Sequence, residues 1–177
     1  MRNINQQLIK KLELPPMSQI GIVVKDMDKT IEYYEKVLGL GPFVRPDITY
    51  KEKHYYGKPV NSEWIMGFCS LGSVELELIQ PITGPTIYHD FLQAKGEGIH
   101  HLGFDVKDME KKLALCKEMG IKIIQDGQGA TSRFEYLDTE AIGGVIFELI
   151  QRKKKNIVIP IEHIFIQEKI ILKIIIF

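Results

Sequence analysis

The chain has 177 residues, of which 45% are apolar and 26% charged, the profile of an ordinary globular protein with enough material for an apolar core. Lys plus Arg and Asp plus Glu both number 23, and this balance predicts no attraction to nucleic acid or to an anionic membrane surface. Apolar runs stay short of the roughly 18 residues of a membrane span, and the opening residues lack the apolar core of a signal peptide. The two cysteines, Cys69 and Cys116, are too far apart for a metal knuckle, so a reduced, cytoplasmic setting is expected.

Residues 1–16 are expected to form an extension, followed by a first module over 17–81. Its β-branched run at 20–24 reads as a strand. Asp26 follows as a helix N-cap, because its carboxylate can accept the free amide hydrogens of the first turn. Met27, Ile31, Tyr34 and Leu38 fall on one helical face, and Gly39 marks the stop. A long segment containing Lys53-His54-Tyr55-Tyr56 then leads to an apolar strand at 64–68, opened by Glu63, and to a strand at 74–80. Residues 82–98 form a linker with a short helix at 87–94.

A second module is expected over 99–151, with a strand at 102–106, an N-cap at Asp108 and a helical face of Met109, Leu113, Cys116 and Met119 before Gly120. Its closing strand ends in Glu148-Leu149-Ile150-Gln151. Residues 152–177 form an Ile-rich extension, with ten Ile in the 22 residues from 156 to 177; such a segment would aggregate if exposed.

The two modules say nearly the same thing. Residues 19–29 lie on residues 101–111 without a gap, matching Gly21 with Gly103, Val24 with Val106 and Lys25-Asp26-Met27 with Lys107-Asp108-Met109. Later, Val74-Glu75-Leu76-Glu77-Leu78-Ile79-Gln80 returns as Val145-Ile146-Phe147-Glu148-Leu149-Ile150-Gln151. A duplicated unit follows. Strand, helix and three strands, without crossover helices, favour α+β over a doubly wound parallel sheet.

Alternation along the last strands points Leu76, Leu78, Phe147 and Leu149 toward the helices and turns Glu77 and Glu148 the other way. A carboxylate between two isoleucines on one strand face, as Glu148 is, is costly to bury unless a cation or donors meet it. Each first strand opens with another ligand type, Gln19 or His101. Bringing the modules together about a pseudo-twofold axis yields a four-residue set, Gln19, Glu77, His101 and Glu148. Amide, imidazole and carboxylate donors suit a divalent ion with one or two open positions, as catalysis requires. His100, beside His101, is expected on the opposite face. Arg133 and the stretch 127–129 read as a loop able to hold a carboxylate or phosphate.

These residues resemble the vicinal-oxygen-chelate (glyoxalase, bleomycin-resistance, dioxygenase) superfamily over roughly 17–151. The motifs are Ile20-Gly21-Ile22-Val23-Val24-Lys25-Asp26, Tyr33-Tyr34-Glu35-Lys36-Val37-Leu38-Gly39, Glu77-Leu78-Ile79-Gln80-Pro81, His100-His101-Leu102-Gly103-Phe104 and Gly143-Gly144-Val145-Ile146-Phe147-Glu148-Leu149. The resemblance implies two βαβββ modules in a curved mixed sheet with helices outside, and one divalent ion (Zn, Co or Ni) on Gln19, Glu77, His101 and Glu148. The ligand set looks like that of zinc-type glyoxalase I and weighs against iron dioxygenases and metal-free bleomycin-resistance proteins. The double His100-His101 and Gly143-Gly144-Val145 resemble methylmalonyl-CoA epimerase.

Expected chemistry is removal of a proton beside a carbonyl, by a methylmalonyl-CoA epimerase-like enzyme or a glyoxalase I-type lactoylglutathione lyase. Glu148 is the expected base, with Glu77 and Glu63 as candidates for a second. The implied partners are an acyl-CoA or a glutathione thiohemiacetal and, as is common in the superfamily, a second copy of the chain. A metal-free protein of the same fold that sequesters a ligand is the reading from another class.

Overall fold

The structure, a computed structural model, describes residues 12–153. The Ile-rich segment 156–177 and most of the N-terminal extension lie outside these residues. In chain order the elements are β1 (Gln19–Val23), α1 (Met27–Lys36), β2 (Tyr50–Tyr55), β3 (Lys58–Pro59), β4 (Glu63–Leu71) and β5 (Val74–Thr83). They continue with α2 (Ile87–Lys95), β6 (Gly98–Asp105), α3 (Met109–Glu118), β7 (Ile123–Gly129), β8 (Ser132–Leu137) and β9 (Ile146–Arg152). No described helix is long and apolar enough to cross a membrane.

The nine strands form one mixed sheet in the order β3-β2-β7-β8-β9-β6-β1-β5-β4. In each repeat the first strand runs parallel to the last, β1 with β5 and β6 with β9. The two first strands meet antiparallel at the centre. Trp64 on β4 lies 5.9 Å from the Tyr50 ring on β2 and 6.1 Å from Phe134 on β8. β4 is one edge of the strand order and β2 lies next to the other, so the sheet curls into a half-barrel whose ends face each other.

Two local expectations are corrected. The segment around Lys53-His54-Tyr55-Tyr56 is strand, and its hairpin pairs with β7 of the second repeat. Only a bridge between Val44 and Phe68 extends the edge of the first repeat. The stretch 127–129, read as a loop, is the end of β7, where β2 and β8 flank it and satisfy its backbone.

α1 and α3 cover the convex face. Val24, Met27 and Leu78 are buried beneath α1, with Ile31 and Tyr34 against them. Val106, Met109, Cys116, Leu137 and Leu149 are buried beneath α3. Leu38 departs from its expected face and is 51% exposed, because α1 ends at Lys36. α2 plugs one end of the half-barrel by burying Ile87 and Tyr88 among Val23, Ile79, Phe134 and Tyr136.

Both N-caps form as the sequence requires: Asp26 accepts from the Lys29 N–H and Asp108 from the Lys111 N–H, each at 3.0 Å. Replacing either by Ala is expected to destabilise the fold by about 1 kcal/mol, roughly 2–4 °C in Tm. Thermal unfolding checks this, and an unchanged Tm for both variants would show that the caps contribute nothing.

Candidate metal centre

Four adjacent strands turn buried polar residues into the concave face: Gln19 from β1, Glu77 from β5, His101 from β6 and Glu148 from β9. The antiparallel register sets Gln19 opposite Gly103 and Gly21 opposite His101. A Cβ added to Gly21 would lie 1.8 Å from His101 Cε1, and one on Gly103 would lie 2.9 Å from Gln19 Oε1. Each repeat's glycine is thus the seat of the other repeat's polar side chain. The matched Gly21 and Gly103 of the sequence repeat acquire a shared steric reason.

His101 Nε2 lies 3.3 Å from Glu77 Oε2 and 3.2 Å from Glu148 Oε2. Ligand atoms of these three residues all fall within 4.8 Å of one another. All four side chains are buried, His101 completely. Gln19 Oε1, Glu77 Oε2, His101 Nε2 and Glu148 Oε2 have no hydrogen-bond partner; the His101 contacts are close without hydrogen-bond geometry. Orphaned buried polar atoms carry a penalty of about 1–3 kcal/mol each, and their gathering from four strands matches a shared cation. The residues fit a divalent ion.

The electrostatics agree. Burial pushes Glu77 up to about 7, opposed by its contact with His101 and reinforced by the charge of Glu148. Burial pulls His101 down, but the Glu148 and Glu77 carboxylates outweigh it and raise the imidazole to about 9. Without a cation the centre therefore draws protons into itself, and a cation would displace them.

Behind His101 stands His100, with Nδ1 to Nδ1 at 3.1 Å. Simple alternation put His100 on the opposite face. A bulge opposite Gly21 and Ile22 changes this, since Gly21 pairs with His101 and Ile22 with Ile99, leaving His100 as the extra residue. Its ring is buried between Tyr88, Phe91 and Tyr136, at centroid distances of 5.3, 5.1 and 5.8 Å. Burial, then the charge of His101, holds His100 well below the ordinary imidazole value. A neutral His100 can accept from His101 Nδ1–H, which leaves the Nε2 lone pair aimed at the centre.

A cavity of about 420 Å³ opens on this centre, walled by Ile48, Tyr50, Phe68, Phe134 and Ile150. Arg152 and Lys153 stand among its lining residues. Glu63 does not reach it: the side chain is exposed at the start of β4, opposite Thr83, and does not line the cavity. Arg133 is among the lining residues, but its guanidinium is committed to Glu135 at 2.7 Å and to Glu110 of α3 at 2.5 Å. Phe134 and Tyr136 of β8 pack into the core of the half-barrel. Cys69 and Cys116 are buried and unpaired with each other, as packing residues should be.

Sequence reasoning passed over the aromatic wall. Tyr136, 5.0 Å from the His101 ring, and Phe134 were legible only as alternate residues of an unassigned strand. Tyr50 reaches the cavity by the cross-repeat hairpin, for which the sequence carries no signal.

The fold has counterparts among known proteins. Residues 18–136 match the family model of the Glyoxalase/Bleomycin resistance protein/Dioxygenase superfamily. An uncharacterised protein, YqjC of Bacillus subtilis, is 31% identical over 140 residues, covering 77% of this chain and 92% of its own. The mitochondrial methylmalonyl-CoA epimerase of Mus musculus is 24% identical over 143 residues, covering 78% of this chain and 74% of its own. Among solved structures, a Streptomyces coelicolor methylmalonyl-CoA epimerase variant in complex with 2-nitronate-propionyl-CoA superposes with a TM-score of 0.63 at 23% identity, covering 80% of this chain and 99% of that one. Methylmalonyl-CoA epimerase from Mycobacterium tuberculosis gives 0.58 at 21% identity, covering 80% and 91%. With its curled, mixed nine-stranded sheet around one concave site, the chain belongs to the Glyoxalase/Bleomycin resistance protein/Dioxygenase superfamily.

Proposed function

We propose that this chain is a divalent-metal-dependent epimerase that removes and returns the proton on the carbon beside an acyl-CoA carbonyl, as a methylmalonyl-CoA epimerase does. The observation that carries the reading is the set of four orphaned buried atoms, Gln19 Oε1, Glu77 Oε2, His101 Nε2 and Glu148 Oε2, in a family whose solved neighbours include acyl-CoA complexes. Gln19, Glu77, His101 and Glu148 would hold the ion (Zn, Co or Ni), which supplies Lewis-acid stabilisation of charge developing on the substrate carbonyl oxygen.

The chain's own residues supply the rest. Glu148 takes the proton from the substrate carbon, and Glu77, facing it across His101, delivers one from the other side. Removal on one face and delivery on the other invert the centre. Glu63, exposed at the sheet edge, is set aside as the second base. Tyr50, Phe68, Phe134 and Ile150 exclude water from the acyl group, which strengthens every electrostatic interaction within the cavity.

Lewis-acid stabilisation amounts to several kcal/mol, so chelation is expected to lower kcat/KM by about a thousandfold or more, with recovery when the ion is restored. Metal analysis of the purified protein and parallel assays with methylmalonyl-CoA and with the hemithioacetal of methylglyoxal and glutathione test the proposal. Turnover of the hemithioacetal alone would favour the glyoxalase I reading, which the Gln19, Glu77, His101 and Glu148 donor set also suits. Absence of a stoichiometric ion, with ligand binding unchanged by chelation, would leave a metal-free sequestering protein.

A further inference from the structure

An amide ligand carries an ambiguity that imidazole and carboxylate ligands do not. Half a turn about the last side-chain bond of Gln19 would replace its oxygen by an NH2 group, whose donors repel a cation. Gln19 Nε2 donates to Glu75 Oε1 at 3.2 Å. The two residues are register partners on the parallel strands β1 and β5, and Glu75 lies on the same strand face as Glu77. Turned over, the amide would set its oxygen against the Glu75 carboxylate, acceptor against acceptor.

Glu75 is itself held. Arg152 Nη2 donates to the same Glu75 oxygen at 2.8 Å, while Arg152 Nε donates to Asp105 at 3.0 Å. These contacts draw Glu75 away from the centre, and its oxygens are absent from the orphaned buried set that includes Glu77 Oε2. The two carboxylates of β5 thus have separate surroundings: Glu77 is 5% exposed and meets His101, whereas the Glu75 side chain is 31% exposed and meets Arg152 and Gln19.

We propose that Glu75 is a positioning residue: held by Arg152, it locks the Gln19 amide with its oxygen toward the centre and so completes the ligand set. The inference rests on the metal reading above, and a titration with Co(II) separates the two. In apo protein, Glu75→Leu is expected to weaken Co(II) binding by about 10–100-fold and to change the visible absorption of the complex, with little change in the unfolding temperature of the apo form.

The decisive comparison removes the amide. In the wild-type background Glu75→Gln weakens Co(II) binding, because either end of the Gln19 amide then finds a partner. In a Gln19→Ala background, where there is no amide to orient, the same Glu75→Gln change is expected to leave the remaining Co(II) affinity within about twofold, the usual scatter of additivity. A merely structural role, or the loss of a nearby charge, lowers affinity alike in both backgrounds. Co(II) affinity of Glu75→Leu within about twofold of wild type, or an equal loss from Glu75→Gln in both backgrounds, overturns the positioning role. Failure of the wild-type protein to bind Co(II) overturns the metal centre and this inference with it.

Discussion

Glu148→Gln is expected to lower kcat for epimerisation, and the rate of solvent-deuterium exchange at the substrate carbon, by about 10²–10⁴-fold. The substitution keeps shape and an oxygen donor but removes the group that takes the proton. Glu148 sits on the concave face of β9 with Ile146 and Ile150 on either side, at 5% and 6% exposure, so no solvated carboxylate can replace it from the same strand. The measurement is made at saturating metal, so that a weaker amide ligand does not masquerade as a lost base. Glu77→Gln supplies the contrast. If Glu77 serves the opposite face of the substrate, that variant loses interconversion yet still exchanges the proton of one epimer with solvent. Wild-type exchange in Glu148→Gln would remove this residue from the mechanism.

The residues gathered at the candidate centre were largely legible, and the reason is the duplication. A lone Glu or His in a strand has no assigned direction, but the gapless match of 19–29 with 101–111 forced Gln19 and His101 into equivalent places. Alternation then set Glu77 and Glu148 on the same face. What alternation could not supply was anything that breaks the period of two. His100 joins the concave side through a bulge, and a bulge leaves no mark in the hydrophobic pattern. Glu63 was only a candidate for a related reason: opening a strand says nothing about whether its end points into the cup. The hairpin 50–59 was illegible because its partner, β7, lies in the other repeat. Tyr50, at its start, therefore entered the site without warning. Arg133, expected to meet a ligand, instead meets Glu135 two residues along its own strand and Glu110 on α3, a pairing that depends on how the helix packs.

Gly21→Ala is expected to abolish tight metal binding and with it turnover, although it adds one methyl group and removes no ligand. The added Cβ would fall 1.8 Å from His101 Cε1 and 2.3 Å from both ring nitrogens, distances at which the ring must leave its seat. It has little room to do so, since Tyr136 packs 5.0 Å from the imidazole and His100 5.4 Å, both edge-on. Overpacking of this kind destabilises by about 1–3 kcal/mol, about 2–4 °C of Tm for each kcal/mol in a chain of this size, so the protein is expected to fold and the defect to show in the metal titration. Gly103→Ala, the counterpart in the other repeat, is expected to do less. Its nearest contacts are at 2.9 Å, to Gln19 Cβ and Oε1 and to Ile150 Cδ1, a far smaller overlap than at Gly21, which a small shift of β1 and of the Ile150 side chain can relieve. Metal affinity should therefore fall in the order wild type, Gly103→Ala, Gly21→Ala. Equal losses in the two variants would mean that the rigid imidazole is not what makes one half of the pseudo-symmetric centre less forgiving than the other.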